Sequence, residues 1–197
     1  MMGKIYCLAG KSASGKDHFY KRLLEEESLS LLPLVLYTTR PMRLGEEDGR
    51  EYYFVGREKL NELRQQDRII EERSYHTTEG IWTYFTADDG RIDLEAQDYL
   101  SIGTLESIVR LQQYFGSDRI CPLYIEVDDG ERLARALKRE RKQEQPKYEE
   151  MCRRFLADQQ DFSEEKLREA GITKRFENVE FEECLEEIVE HIRKRRI

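Results

Sequence analysis

The sequence predicts an α/β fold in which a parallel sheet of five strands is flanked by helices. Short apolar runs alternate with segments of helical periodicity at both ends of the chain, an order typical of parallel strands joined by helices. Between them, residues 45–86 change to turns, aromatics and β-type alternation, which indicates an inserted β-rich lobe. A chain of 197 residues is long enough for one such core and too short for two independent domains.

The strands are predicted from short apolar or β-rich runs. The first, KIYCLA, ends at a glycine and reads as a buried strand before a tight loop. The run at 120–127 gives the strongest strand signal. The five predicted strands cover residues 4–9, 32–37, 98–102, 120–127 and 174–176.

The helices are predicted from apolar spacing of three and four residues. Phe19, Leu23 and Leu24 give that spacing to the first helix, and Pro146 separates a very basic helix from the one that follows. The predicted helices cover residues 16–26, 57–65, 105–114, 131–141, 148–162 and 181–196.

The charge balance argues against nucleic acid as a partner. There are 33 Lys and Arg against 41 Asp and Glu, a net charge of −8, and such a surface does not favour long polyanions. A basic cluster at residues 132–147 leaves a small anionic ligand in a cleft open. The basic run at 193–196 reads as a solvated helix end, where cations suit the dipole.

Cysteine usage and hydropathy predict a cytoplasmic protein. The four cysteines lie far apart, with no C-x-x-C pair and no zinc-like spacing, as expected of reduced thiols. We expect no membrane association, because no apolar run approaches the 18 residues of a membrane helix and no signal peptide is seen.

The strongest motif joins the first predicted strand to the first helix. It reads Gly10-Lys11-Ser12-Ala13-Ser14-Gly15-Lys16 and fits G-x-x-x-x-G-K. Glycines let the backbone curl so that N–H groups face phosphate oxygens, and Lys16 reaches the β- and γ-phosphates. A plain strand-to-helix turn that needs glycine is the alternative, but the position after a strand favours a P-loop NTPase core that binds ATP.

The residue after the motif lysine is Asp17, where the pattern has Ser or Thr as a Mg²⁺ ligand. A carboxylate also binds Mg²⁺, and an acidic residue in a first helical turn is favourable in itself. The sequence leaves both readings open: Asp17 as the metal ligand, or a helix-start residue without a metal role.

A second motif covers residues 38–55, TTRPMRLGEEDGREYYFV. Arg40 and Arg43 are three residues apart and are followed by a turn and Tyr52, so the three side chains form a candidate clamp for one phosphate. At these residues the sequence resembles the guanylate kinase family, whose members carry TTR-x-x-R-x-GE-x-x-G-x-x-Y-x-F. The resemblance extends over nearly the whole chain and includes the phosphate loop, Glu71 and Asn178.

The resemblance implies roles for individual residues. Arg40, Arg43 and Tyr52 would bind the acceptor's phosphate, Thr39 would belong to the same substrate site, and Glu71 would accept hydrogen bonds from guanine. In a lid, Arg139 or Arg141 would close on the ATP phosphates together with Arg153 or Arg154, and Asn178 would lie near the adenine. The groups implied to act on the transferring phosphoryl are Lys16, Arg43, Arg139, Arg141 and Arg154.

The sequence also departs from the family pattern. The tyrosine-glycine-serine/threonine segment is replaced within GIWTYFT at 80–86, where Trp82 or Tyr84 is the candidate substitute. A base-reading hydroxyl falls at Leu36, and an acidic pair falls at Ser101 and Gly103. Asp17 is our candidate to replace the lost metal-site acid.

The resemblance implies one domain over residues 1–197, with a core at about 1–36, 98–138 and 163–197. The acceptor lobe would cover about 37–90 and the lid about 139–162. The implied reaction is ATP + GMP → ADP + GDP with Mg²⁺, in purine nucleotide metabolism. Two alternatives stay open: a kinase of the same family acting on a sugar phosphate such as ribose bisphosphate, for which Glu71 would be dispensable, and an inactive binding module. The sequence does not determine the oligomeric state.

Overall fold

A computed structural model describes residues 3–77 and 80–196. Its main sheet has five strands in the order β2-β7-β1-β8-β9, and every neighbouring pair is parallel. The strands of this sheet are β1 (Ile5–Ala9), β2 (Leu32–Pro33), β7 (Tyr99–Ile102), β8 (Ile120–Glu126) and β9 (Arg175–Glu177). The predicted five-stranded parallel α/β sheet is confirmed.

Helices cover both faces of this sheet, as a parallel sheet with buried strands requires. On one face Leu8 packs with Phe19 and Ile188, and on the other Cys7 packs with Ile108 and Leu167. The helices are α1 (Lys16–Glu25), α2 (Arg57–Gln65), α3 (Leu105–Phe115), α4 (Asp129–Glu140), α5 (Tyr148–Asp161), α6 (Glu164–Glu169) and α7 (Phe181–Arg195). The strand β1 is buried along its whole length, which places the loop that follows it at the centre of the molecule.

The inserted lobe forms a second sheet in the order β4-β3-β6-β5. It consists of β3 (Tyr37–Thr38), β4 (Tyr53–Phe54), β5 (Ile69–Thr77) and β6 (Gly80–Ala87). Phe85 of β6 is fully buried against Leu60 and Leu63 of α2 and so anchors the sheet to this helix.

The prediction of a single strand at residues 32–37 is wrong. Its first part, β2, belongs to the main sheet, whereas Tyr37 and Thr38 belong to the second. Pro33 has no N–H to donate, so a long interior strand is unfavourable here, and the chain uses residues 34–36 to pass between the sheets. The short helix α6 and a 3₁₀ turn at Glu27–Leu29 were also absent from the sequence prediction.

The basic helix begins earlier than the periodicity indicates. Asp128 caps α4 by accepting hydrogen bonds from the backbone N–H groups of Gly130 and Glu131, so the helix starts at Asp129. Within residues 3–77 and 80–196, no helix combines the length and apolar character of a membrane span.

Candidate active site

The loop between β1 and α1 has the conformation that phosphate binding needs. Gly10 admits no side chain, because a Cβ there would lie 2.7 Å from the Ser14 Oγ and 2.9 Å from the Ile125 carbonyl oxygen. Ala13 and Gly15 have φ values of 65° and 90°, so the chain curls tightly before the helix. Left-handed backbone is costly for alanine, and such strain is concentrated at functional sites.

Lys16 is the first residue of α1 and lines a cleft of about 980 Å³. Burial lowers the pKa of its ammonium group, and the nearby carboxylates of Asp17 and Asp158 oppose this shift. Ammonium and backbone N–H donors suit a polyphosphate, so the donor set of this loop fits ATP.

Helix α5, which lies in the predicted lid segment, is docked on the loop between β1 and α1 through Asp158. Its carboxylate accepts hydrogen bonds from the backbone N–H of Ser12 at 2.8 Å and from the Ser12 hydroxyl at 3.3 Å. Arg132 of α4 completes the contact, donating to Asp158 at 3.1 Å and to the Ser12 carbonyl at 3.0 Å. One backbone N–H donor of the loop is therefore already hydrogen-bonded to a carboxylate of the protein.

Arg132 is the centre of this docking site. Its side chain is 1% exposed, its guanidinium also bonds Asp129 at 2.6 Å, and it stacks on Phe155 at 4.8 Å. Lys11 joins the same network through Asp129 at 3.4 Å and Gln159 at 3.0 Å. One buried cation thus connects the phosphate loop with α4 and α5.

The predicted lid arginines do not share one position. Arg139 and Arg154 line a cavity of about 180 Å³ together with Ser12, and both contribute to the electrostatic field at Lys16. Arg141 lies at the exposed end of α4, outside that lining, and Arg153 is an exposed partner of Glu150 that also borders the large cleft. The structure brings Arg139 and Arg154 to the phosphate loop; their action on a nucleotide stays a prediction.

Asn178 supports the phosphate loop from behind. Its side-chain amide donates to the Ser14 carbonyl at 2.9 Å, and a Cβ on Gly15 would approach that amide to 3.0 Å. Its own carbonyl accepts from Arg135 at 3.3 Å. The predicted contact of Asn178 with adenine is not tested by these bonds, which give it a structural role.

The second motif packs its aromatic side chains around Arg40, on the sheet that also contains β5. This guanidinium is 4% exposed and binds both oxygens of Glu46, at 2.8 and 2.5 Å. The pair holds the pKa of Glu46 at about 2. The Arg40 guanidinium also lies over the ring of Tyr52, 5.2 Å from its centroid, and the Tyr84 hydroxyl interacts electrostatically with Arg40.

Of the two candidate substitutes, Tyr84 contacts the predicted phosphate clamp, and its role toward a substrate stays a prediction. Its ring lies 5.5 Å from that of Tyr52, in an edge arrangement. The structure therefore places Arg40, Tyr52 and Tyr84 together, while the Arg43 side chain is exposed and contributes its backbone N–H to Glu46. Thr39 holds the sheet itself, because its hydroxyl accepts from the backbone N–H of Thr83 at 2.9 Å.

Glu71 is buried on β5, where two neighbours hold its carboxylate. The Thr86 hydroxyl donates to Oε1 at 2.9 Å, and the Arg73 Nε lies 3.1 Å from Oε2. Burial raises the pKa of Glu71, and the charge of Arg73 opposes the shift. A desolvated carboxylate with remaining lone pairs is suited to accept hydrogen bonds from an amide-like edge.

Three of the positions that depart from the family pattern lie beside Glu71. Leu36, Ser101 and Gly103 line the same small gap as this carboxylate. The Ser101 hydroxyl bonds the Cys7 sulfur at 3.2 Å and therefore faces the core. Glu71 is the acidic residue among those that line this gap, and the other lining residues are apolar or carry a thiol or hydroxyl group.

A magnesium site is not built by side chains alone. In the described part of the chain, no group of three or more His, Cys, Asp or Glu residues has the geometry to hold a metal. Asp17 is exposed next to Lys16, so it fits as one ligand of a metal held mainly by phosphate oxygens, the usual arrangement for Mg²⁺.

Comparison with known proteins assigns the architecture. The family model described as "Guanylate kinase" matches residues 2–195. The chain belongs to the guanylate kinase family. Curated guanylate kinases from Polaromonas sp. and Aliivibrio fischeri are 36% identical over 74 residues and 33% identical over 93 residues. These matches cover 38% and 45% of this chain and 35% and 45% of those relatives, so the aligned segment spans less than half the length of either.

A solved member of the family has the same fold. The crystal structure of guanylate kinase from Anaplasma phagocytophilum has a TM-score of 0.63 and 20% identity, covering 98% of this chain and 86% of that one. At this identity the likeness concerns the fold.

Sequence reasoning missed Thr86, Asp158 and the individual role of Arg132. Thr86 lay inside the segment whose alignment was left open, and its pairing opposite Glu71 requires knowledge of the strand register. Asp158 is 146 residues away from Ser12, and its sequence neighbourhood resembles an ordinary polar helix face. Arg132 was visible as part of a basic cluster, but its burial is a tertiary property.

Proposed function

We propose that the chain is a guanylate kinase-like phosphotransferase that catalyses ATP + GMP → ADP + GDP. The observation that carries the proposal is a single cleft bordered by Lys16 of the phosphate loop, by Arg154 and by residues 72–75 of β5, which directly follow Glu71. Donor and acceptor sites on opposite walls of one cleft are what direct transfer between two nucleotides needs.

In this reaction an oxygen of the acceptor phosphate attacks the γ-phosphorus, and the bond to the β–γ bridging oxygen breaks. Lys16, Arg139 and Arg154 would neutralise the charge on the transferring group, which is the main means of catalysis in phosphoryl transfer. Arg40, Tyr52 and Tyr84 would hold the acceptor phosphate in line, while Glu71 and Thr86 would bind the guanine edge.

Mg²⁺ would supply charge neutralisation at the phosphates, with Asp17 as its proposed protein ligand. Closure of the lid on the loop would exclude water and suppress hydrolysis of ATP. We expect the reaction in the cytoplasm, because all four cysteines are free thiols.

A coupled assay tests the proposal, with ATP, Mg²⁺ and the acceptors GMP, dGMP, AMP, UMP and ribose bisphosphate. We expect turnover with GMP and loss of at least 100-fold in kcat for Lys16→Met at an unchanged thermal midpoint, since that lysine acts on the transferring group. Binding of ATP in calorimetry without turnover of any acceptor would contradict a nucleotide kinase.

A sugar phosphate is the second candidate acceptor. It is favoured by the neighbours of Glu71, where Leu36, Ser101 and Gly103 offer no further acid to read a base. Turnover of ribose bisphosphate but not GMP, with full activity of Glu71→Gln, would establish it. An inactive binding module is the remaining alternative, and absence of ATP binding in calorimetry would favour it.

A further inference from the structure

Arg73 occupies the acceptor wall without a role in either sequence motif. It lies opposite Tyr84 in the register of β5 and β6, two residues after Glu71, and it borders the 980 Å³ cleft. Because side chains alternate along a strand, Arg73 shares a face with Glu71 and Tyr75. Tyr75 confirms this placement, as its ring contacts Tyr84 at 5.8 Å.

The guanidinium of Arg73 lies between the base-reading carboxylate and the phosphate clamp. Its Nε is 3.1 Å from the Glu71 carboxylate on one side. On the other side, Arg73 lies opposite Tyr84 in the strand register, and the ring of Tyr84 is 5.5 Å from that of Tyr52. Consistent with this placement, burial raises the pKa of Tyr52 and the charges of Arg40 and Arg73 oppose that shift. Arg73 therefore faces the region that the acceptor's phosphate is proposed to occupy.

The two arginines differ in how many donors they have left. Both terminal nitrogens of Arg40 are bound to Glu46, and one also donates to the Pro41 carbonyl. Within the ranges 3–77 and 80–196 the terminal nitrogens of Arg73 donate no hydrogen bond. The closest approach of Arg73 to Glu71 is an ion pair through Nε at 3.1 Å, and this Nε also lacks a hydrogen-bond partner. A dianionic phosphate is bound best by a guanidinium whose two terminal N–H groups are available together.

We propose that Arg73 is an acceptor-binding residue, whose terminal N–H groups bind the phosphate monoester of the acceptor while its Nε holds Glu71. It adds a second cation, with free terminal donors, to a clamp in which Arg40 is already paired with Glu46. The proposal rests on the function proposed above and adds the residue that links recognition of the phosphate to recognition of the base.

The test compares Arg73→Met and Arg73→Lys with the wild-type chain, using the acceptor that the wild type phosphorylates. Loss of hydrogen bonds to a charged group is expected to raise the KM for this acceptor about 10- to 100-fold in Arg73→Met, with the KM for ATP changed less than about threefold. Arg73→Lys keeps the charge and should recover part of the loss.

A second measurement separates contact with the phosphate from support of Glu71. Calorimetric Kd values are compared for the acceptor nucleotide and for its nucleoside, which lacks the phosphate. We expect Arg73→Met to weaken binding of the nucleotide at least about tenfold more than binding of the nucleoside, because both ligands feel the loss of support for Glu71 but only the nucleotide loses contacts with its phosphate. Equal weakening of both ligands would mean that Arg73 acts only through Glu71 and would overturn the proposal.

Arg64→Met is the matched control. Arg64, on α2, also pairs with a glutamate of β5, Glu72, at 2.9 and 3.0 Å, but Arg64 does not line the cleft. We expect wild-type KM values from this variant, and thermal midpoints of all variants report whether they fold. Wild-type turnover with an unchanged KM in Arg73→Met refutes this inference alone. Absence of turnover with every acceptor in the wild type refutes the proposed function as well.

Discussion

Replacing Arg132 by methionine should destabilise the protein more than removal of any surface arginine. Methionine retains much of the volume but removes the charge that compensates Asp158, whose side chain is 12% exposed. It also removes the donor to the Ser12 carbonyl. Asp158 then keeps a negative charge in a desolvated position with the backbone N–H and hydroxyl of Ser12 as its remaining partners.

The magnitude follows from which charges remain buried. Breaking a buried ion pair by removing one partner costs about 3–5 kcal/mol. Asp129, the other partner, is 46% exposed and recovers hydration, so we use the lower end, about 3 kcal/mol. For a chain of 150–250 residues each kcal/mol shifts the thermal midpoint by about 2–4 °C, which gives a loss of about 6–12 °C.

The assay is thermal unfolding of Arg132→Met, Asp158→Asn and the double variant. Asp158→Asn removes the uncompensated charge, so the double variant should lose at least about 1 kcal/mol less than the sum of the single variants. Arg22→Met is the control, because Arg22 also binds both oxygens of a carboxylate, Glu182, but at the surface, where such pairs contribute about 0–1 kcal/mol. A loss below about 2 °C for Arg132→Met, or additive effects in the double variant, would refute the reasoning.

Three further variants test the loop and the acceptor wall. Asp17→Ala should raise the Mg²⁺ concentration for half-maximal turnover about tenfold in steady-state assays; an unchanged Mg²⁺ dependence contradicts a metal-ligand role. Ala13→Gly should raise the thermal midpoint by about 2–4 °C, since glycine relieves about 1 kcal/mol of left-handed strain at φ 65°, and a decrease would argue against that strain. Glu71 has a raised pKa, so the stability that it contributes is present below its ordinary pKa and is lost as the pH rises through the raised value. The thermal midpoint of Glu71→Gln minus that of the wild type should therefore increase from about pH 4.5 upward. A difference that does not change with pH would contradict this.

The main sheet was predictable because its signals are local. Residues 4–9 and 120–127 are apolar runs of strand length, and the structure makes them neighbours at the centre of the sheet. The helix predicted at 57–65 matches α2 residue for residue. The error at residues 32–37 has a physical cause, since the choice between two sheets depends on which edges are nearby and not on the composition of the run.

The curled loop between β1 and α1 was also predictable, because its glycines, its lysine and its place after a strand lie within a few residues of one another. The acceptor wall was predictable only in part. The choice between Trp82 and Tyr84 depended on the register of β6 against β3 and β5, and Thr38 and Arg73 both lie opposite Tyr84. No spacing in the sequence reports that register.

The sequence by itself determined the class of fold, the phosphate loop from Gly10 to Lys16 and the resemblance that suggested the family. These follow from periodicity, backbone requirements and short motifs, which act over a few residues. Only the tertiary structure shows that Asp158 accepts a hydrogen bond from Ser12 and that Glu46 pairs with Arg40. The same holds for Arg73, which lines the cleft and pairs with Glu71. Desolvation and charge pairing depend on which groups the fold brings together, and those groups are distant or unremarkable neighbours along the chain.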